Sequence, residues 1–316
     1  MTRHRSLAAL ALVCLVTALA QGSSAGRPAD TQSLRQRCNW SIGIYAGTSP
    51  FRLGPVDVKN PVIAATDVKD VPARYVADPF MIEAKGNWYL FFEVMNARTR
   101  QGDIGLATSS DLVTWEYKQI VLDEPFHLSY PYVFRHLDQY YMIPESHDAN
   151  SVRLYKAVSF PTKWQFVKTL LVGSYVDPCV FQHEGKWWMF VGGKKGRQRA
   201  LRIYYASDPT GPWTEHPKSP YAAGNDHACR PGGRVVKWND KLFRFAQDDD
   251  PSYGRQVWAF EITKLTTTEF EEAKVPGGPV VKGATRGWNA GRMHHIDPHE
   301  IRPDEWIACV DGCTTP

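Results

Sequence analysis

The sequence predicts an all-β fold, a five-bladed β-propeller closed by its N-terminal strands. Three observations point to it. One hairpin pattern recurs five times, at intervals of 47 to 64 residues. Most copies are followed by two further short strands, and four strands per repeat is the signature of a radial propeller. The composition, 12% aromatic with 24 Gly and 22 Pro, suits many short strands joined by tight turns.

The first hairpin runs from Asp78 to Glu93, two apolar strands around a Lys-Gly-Asn turn with a carboxylate at each outer end. The strand starts that align with it are Tyr130-Pro131, Asp177-Pro178, Arg230-Pro231 and His294-His295. An apolar residue opens each second strand (Trp88, Tyr140, Trp187, Leu242, Trp306), and five residues later come Glu93, Glu145, Gly192, Gln247 and Asp311. Third strands are read at Ile104, Val152, Leu201 and Val257. The fourth strands are marked by Trp115, Trp164, Trp213 and Phe270, whose rings are expected to pack between blades.

The fifth repeat stops shortly after Asp311, so its outer strands must come from elsewhere. The segment from Trp40 resembles a third strand, and the region from Phe51 to Ala65 can supply a fourth. Such closure removes the exposed sheet edge. Cys38 precedes the borrowed strand and Cys313 follows its expected partner, which predicts a disulfide at the seam, with Cys309 as the competing partner.

Residues 1–20 read as a secretory signal peptide: Arg3 and Arg5, an apolar run from Leu7, and a small-x-small site at Ala18-Leu19-Ala20. An uncleaved anchor is the alternative, and nothing later is apolar enough to span a bilayer. Residues 21–37 read as a flexible leader and residues 38–316 as the propeller. The expected location is therefore extracytoplasmic, secreted or in the secretory lumen. The formal charge of +4 drops to +2 once Arg3 and Arg5 are removed, too little to imply nucleic acid or an acidic surface as partner. Five cysteines then remain, an odd number, so at least one thiol is unpaired within the chain. Asn39-Trp40-Ser41 is a glycosylation sequon.

In a propeller, the strand starts Asp78, Tyr130, Asp177, Arg230 and His294 ring one mouth of the channel, with Glu93, Glu145, Gln247 and Asp311 one strand outward. Polar groups converging on one concavity mark the expected binding site. Tyr130 and Tyr132 are the candidates for stacking on a sugar ring. His294 and His295 suggest hydrogen bonds to substrate. As a metal signal they are weak, since neighbours on a strand face opposite ways; no cofactor is expected, with a channel calcium ion as the alternative. Two loops lie on the rim. Asp248–Asp250 reads as a solvated acidic turn, with calcium binding as the alternative, and Lys194–Arg199 as either solvated or suited to a phosphate or acidic sugar.

Hydrolysis of a glycosidic bond uses two carboxylates, ~5 Å apart for retention or ~6.5–9.5 Å for inversion. The ring offers several, and crowding of like charges can keep one protonated near neutrality.

Val76-Ala-Asp-Pro-Phe, Phe126-His-Leu-Ser-Tyr-Pro-Tyr-Val-Phe, Tyr141-Met-Ile-Pro-Glu-Ser, Ala246-Gln-Asp and Val310-Asp-Gly together resemble the N-terminal domain of glucosamine inositolphosphorylceramide transferases. More distantly, the repeats resemble the five-bladed propellers of glycoside hydrolase family 43. The second resemblance implies Asp78 as general base and Asp177 as the carboxylate that tunes the acid. Where that family has its general-acid Glu, this sequence has Arg230, which leaves Glu145 or Glu93 to donate the proton, or a site that does not hydrolyse. The plant transferases carry an exostosin-like glycosyltransferase domain that is not read here, so a separate glycosyltransferase partner is one implication. The resulting expectation is a glycosidase-like enzyme acting on a glycan or glycoconjugate, with Asp78 as base, Glu145 as acid and Asp177 as tuner. Glu93, Tyr130, Tyr132, Arg230, Gln247, His294, His295 and Asp311 would contact substrate. The alternative is a propeller that binds a glycan or glycolipid, or assists a transferase, without catalysis.

Overall fold

The structure is a computed structural model that describes residues 38–56 and 58–314. The expected signal and leader lie outside the described residues. Five antiparallel sheets form the blades of a propeller. Blade 1 comprises Ala73–Ala84, Asn87–Asn96, Gly102–Ser109 and Glu116–Leu122. Blade 2 comprises Ser129–His136, Gln139–Glu145, Ser151–Ser159 and Lys163–Val172, and blade 3 Val176–His183, Lys186–Lys195, Gln198–Ala206 and Thr214–Glu215. No helix among the described residues is long and apolar enough to cross a membrane.

Each inner hairpin is set by its turn. Ala84 pairs with Asn87 across Lys85-Gly86, both at positive φ, the combination that matches the right-handed twist of the flanking strands. Glu184-Gly185 repeats it in blade 3. Inner strands are buried on both faces because blades stack on either side, hence the fully buried run Val76–Met81. The outer aromatics pack between blades as expected. Trp164 of blade 2 meets Phe91 of blade 1 with ring centroids 5.6 Å apart, and Phe270 of blade 4 meets Phe190 of blade 3 at the same distance.

Blade 4 departs from the pattern. Its inner strand is split into Arg230–Pro231 and Val236–Trp238, followed by Lys241–Asp248, Gln256–Leu265 and Phe270–Lys274. The split lets Gly233 run beside the inner strand of blade 5. A Cβ at Gly233 would lie 1.8 Å from the Ile296 carbonyl oxygen, so only glycine permits this approach.

Blade 5 joins the two ends of the described chain. Ile296–Arg302 and Glu305–Thr314 are completed by Asn39–Ser49 and Arg52–Pro55. Trp40 pairs with Cys313 and Ile44 with Cys309. The seam is locked by the Cys38–Cys313 disulfide. Cys309 is instead a buried free thiol whose Sγ lies 3.1 Å from the Pro79 carbonyl oxygen.

Candidate functional site

The aligned anchors do converge on one mouth, but among them Arg230 alone opens a strand. Blade 1's inner strand begins at Ala73, and Glu93 pairs with Ala77, not Asp78. Ser129 and Val176 likewise pair with Glu145 and Gly192. Asp78, Tyr130 and Asp177 are therefore the extra residues of β-bulges, each at positive φ, 52°, 46° and 53°. Non-glycine residues held there are strained, and surrounding contacts must hold them.

Ring carboxylates supply those contacts at two of the three bulges. Asp311 of blade 5 accepts a hydrogen bond from the Asp78 amide at 3.1 Å, and Glu145 of blade 2 from the Asp177 amide at 3.2 Å. Each secures the bulge of the next blade. Asp311 also accepts from the amides of His294 and His295, at 3.1 and 3.0 Å.

The ring resolves into two linked clusters. In the first, Arg230 grips Asp177 with Nε and Nη2, the latter at 3.3 Å, and its Nη2 is 3.7 Å from Glu145. Gln247 donates to the same Asp177 carboxylate at 2.9 Å. Burial, opposed by Arg230 but reinforced by Glu145, moves the Asp177 carboxyl upward. His147 Nδ1 lies 3.2 Å from Glu145. In the second cluster, His294 Nδ1 is 2.7 Å from Asp311, and its Nε2 is 3.9 Å from Asp78. The His294 ring stacks on Trp40, with centroids 4.0 Å apart. One ligating atom each of Asp78, His294 and Asp311 lie within 4.8 Å of one another. The carboxylates beside both ring nitrogens favour the protonated form of the imidazole.

Burial lowers the His294 pKa, but Asp311 and Asp78 outweigh it and the net shift is upward, against Arg230. The stability this pair contributes is present below the ordinary histidine value of about 6.5 and is lost as pH rises through the elevated folded value. Urea midpoints should therefore fall above about pH 6.5 more steeply in the wild type than in His294→Gln. Parallel profiles would remove His294 from this role.

Several expectations need correction. Tyr130 and Tyr132 offer no face to a sugar: they are 0% and 2% exposed, packed edge-on against Phe80 inside the channel. Their hydroxyls donate to the carbonyls of Gly233 and Val180. His295 is also fully buried, lodged between Phe80 and Tyr130, where burial depresses its pKa. The acidic turn is solvated only at Asp250, which is exposed, while Asp248 and Asp249 are buried. Asp248 accepts from Gln256 at 2.6 Å and Trp258 at 2.9 Å, and Asp249 from Arg199 at 2.7 Å.

Two cavities open at the mouth, with Arg230 in the wall of both. The central one is lined by Trp40, Asp78, Glu93, His127, Tyr253 and His294 among others, and encloses only about 10 Å³, room for one water molecule. The second encloses about 220 Å³ beside His147, Ser174, Gly192, Lys194 and Arg199. Sequence reasoning placed Lys194–Arg199 on the rim but missed the cavity. Gly192 was the available signal, since the other four repeats carry Glu93, Glu145, Gln247 and Asp311 at that register. Trp40 entered only as a seam strand, and Tyr253 and His127 were missed because neither falls on a repeated position.

Residues 34–313 match the family described as glucosamine inositolphosphorylceramide transferase 1, N-terminal. The chain is 37% identical over 300 residues to glucosamine inositolphosphorylceramide transferase 1 of Oryza sativa subsp. japonica, covering 88% of this chain but only 40% of that protein. Among solved structures it is similar to a putative glycoside hydrolase from Parabacteroides distasonis, with TM-score 0.62 and 12% identity over 82% of this chain and 95% of that one. It is also similar to a family 43 β-xylosidase/α-arabinofuranosidase from a compost microbial metagenome, with TM-score 0.56 and 14% identity over 78% and 92% of the two chains. At such identities these structures bear on the fold alone. The match across nearly all of the described propeller places the chain in the family of the glucosamine inositolphosphorylceramide transferase 1 N-terminal domain.

Proposed function

We propose that the channel mouth binds the sugar portion of a glycoconjugate without cleaving it, in an extracytoplasmic setting and in support of a glycosyltransferase activity. One observation carries this reading: Arg230, which stands where the resemblance to family 43 hydrolases would put the acid, grips Asp177 and lies 3.7 Å from Glu145. Glu145, the expected proton donor, is 1% exposed and is committed to the Asp177 amide. Asp177 and Glu145 are thus engaged in holding the fold, whereas hydrolysis needs a mobile acid; Glu93, the other expected donor, shares with Asp78 a cavity of only about 10 Å³. The 220 Å³ cavity beside Arg230 has the size for part of a sugar. Relatives named for inositolphosphorylceramide make a glycolipid headgroup the natural ligand class. The disulfide suits an oxidising compartment.

The test is a screen of immobilised neutral and acidic glycans with wild type and Ser174→Trp, together with chromatography for released sugar. Ser174 is exposed on the cavity wall, so the indole should block the cavity with little effect on folding. Binding lost in Ser174→Trp, with no product, is the expected result. A second reading, hydrolysis, is favoured by the upward shift of the buried Asp177 carboxyl beside Glu145, the direction in which a carboxyl holds its proton more tightly. Sugar release by the wild type that is abolished in Asp78→Asn would establish hydrolysis and overturn the binding-only reading.

A further inference from the structure

We propose that the 220 Å³ side cavity is an oxyanion site, taking the phosphate or carboxylate of an acidic glycoconjugate. This deepens, and rests on, the binding reading above. The lining contains Lys194, Arg199, Arg230 and His147 but no carboxylate. Its thiol, Cys229, is pushed up to about 11, chiefly by burial, and so adds no negative charge near neutrality.

The acidic partners of the two arginines stand behind the wall. Asp177 and Asp249 side chains are each 1% exposed. Asp177 engages Nε and Nη2 of Arg230, and Asp249 engages Nη1 of Arg199. Arg230 Nη1 and Arg199 Nε and Nη2 make no hydrogen bond among the described residues. These buried pairs fix the orientation of each guanidinium while sparing donors on its remaining edge, and fixed guanidinium donors suit planar or tetrahedral oxyanions. His147 is occupied by Glu145 and Asp148, at 3.2 and 3.1 Å, and is not counted.

The loop above the cavity adds charge without compensation. Lys194, Lys195 and Arg197 are exposed and form no ion pair among the described residues, whereas the nearby Arg202 is paired with Glu215 at 2.5 Å. The cavity itself exists because blade 3 has Gly192 where the other blades carry a polar side chain. A Cβ there would already lie 2.6 Å from Val176 Cγ2 and 3.7 Å from Arg230 Cγ. A cationic concavity with preset donors attracts anions.

The experiment titrates the full chain by calorimetry with inorganic phosphate, an inositol monophosphate and glucuronate, alongside neutral inositol and glucose, at constant ionic strength. The proteins are wild type, Lys194→Glu/Lys195→Glu, and Lys194→Arg/Lys195→Arg, with circular dichroism as the check of folding. Anionic probes should bind at least about ten-fold more tightly than their neutral counterparts, and charge reversal should erase that preference. The arginine variant should retain it. Strength with inorganic phosphate against glucuronate tells a phosphate source from an acidic sugar. Neutral and anionic probes binding equally, unaffected by charge reversal, would overturn this inference and leave the glycoconjugate reading standing. Phosphate binding with no glycan captured in the screen would do the reverse.

Discussion

Arg234→Met should be among the most destabilising single substitutions in the chain, costing about 3–5 kcal/mol, as expected when one member of a buried ion pair is removed. Arg234 Nε meets Asp297 at 2.7 Å, and Nη2 donates to the carbonyls of Met81 and Val133 at 3.4 and 3.3 Å. Nη1 lies 3.4 Å from the Tyr132 hydroxyl. One guanidinium from blade 4 thereby ties blades 1, 2 and 5 together below the mouth. Asp297 is 0% exposed and also accepts from the Met81 amide at 2.8 Å and lies 2.9 Å from His299 Nε2. Burial alone would raise its carboxyl, but Arg234 and His299 hold it well below the carboxylate range.

The sign of the pH effect follows. A depressed carboxylate contributes stability that is present above the unfolded value of about 3.9 and is lost as pH falls toward the folded one. Urea unfolding should show the wild type losing this contribution on acidification, and Arg234→Met already lacking most of it at neutrality. The double variant Arg234→Met/Asp297→Asn should recover part of the loss, because no uncompensated buried charge remains. A cost below about 1 kcal/mol, the range of an exposed pair, would contradict the placement of Arg234 against the fully buried Asp297.

Breaking the seam should cost nearly as much. The Cys38–Cys313 disulfide joins residues 275 apart in sequence, so it restrains nearly the whole described chain in the unfolded state. Cys38→Ser/Cys313→Ser should lower stability by roughly 3–5 kcal/mol in denaturant titrations under oxidising conditions. Dithiothreitol should bring the wild type to the level of the variant. The physical reason extends beyond chain entropy. Blade 5 depends on Asn39–Ser49 for its third strand, and release of that strand uncovers a long edge against Glu305–Thr314. An unchanged midpoint in the double variant would mean that strand pairing alone closes the ring.

The repeat was legible because it is carried by local rules: tight hairpin turns, apolar strands at a fixed spacing and an aromatic marking the fourth strand. The seam was legible for the same reason, since Trp40-Ser-Ile-Gly-Ile looks like any other third strand. The bulges were not, because a single extra residue at Asp78, Tyr130 or Asp177 leaves the spacing between anchors intact while rotating the side chain that follows. That rotation explains why Tyr130 and Tyr132, read as sugar platforms, are interior. Asp297 escaped because blade 5 was aligned on His294, although Asp297-Pro298 repeats the Asp-Pro of blades 1 and 3 three residues later. Arg230 was located correctly, yet its grip on Asp177 is a contact between residues 53 apart, beyond any local pattern. The side cavity was least legible, since it arises from an absence at Gly192.

A crystal structure of the protein soaked with the tightest-binding glycan from the screen tests the central claim most directly. Intact sugar seated at the channel mouth against Arg230, Ser174 and Lys194, with Asp177 and Glu145 still clasped by the guanidinium, is the predicted result. Sugar bound on the opposite face of the propeller, or a cleaved product beside Asp78 with Glu145 swung free, would contradict it.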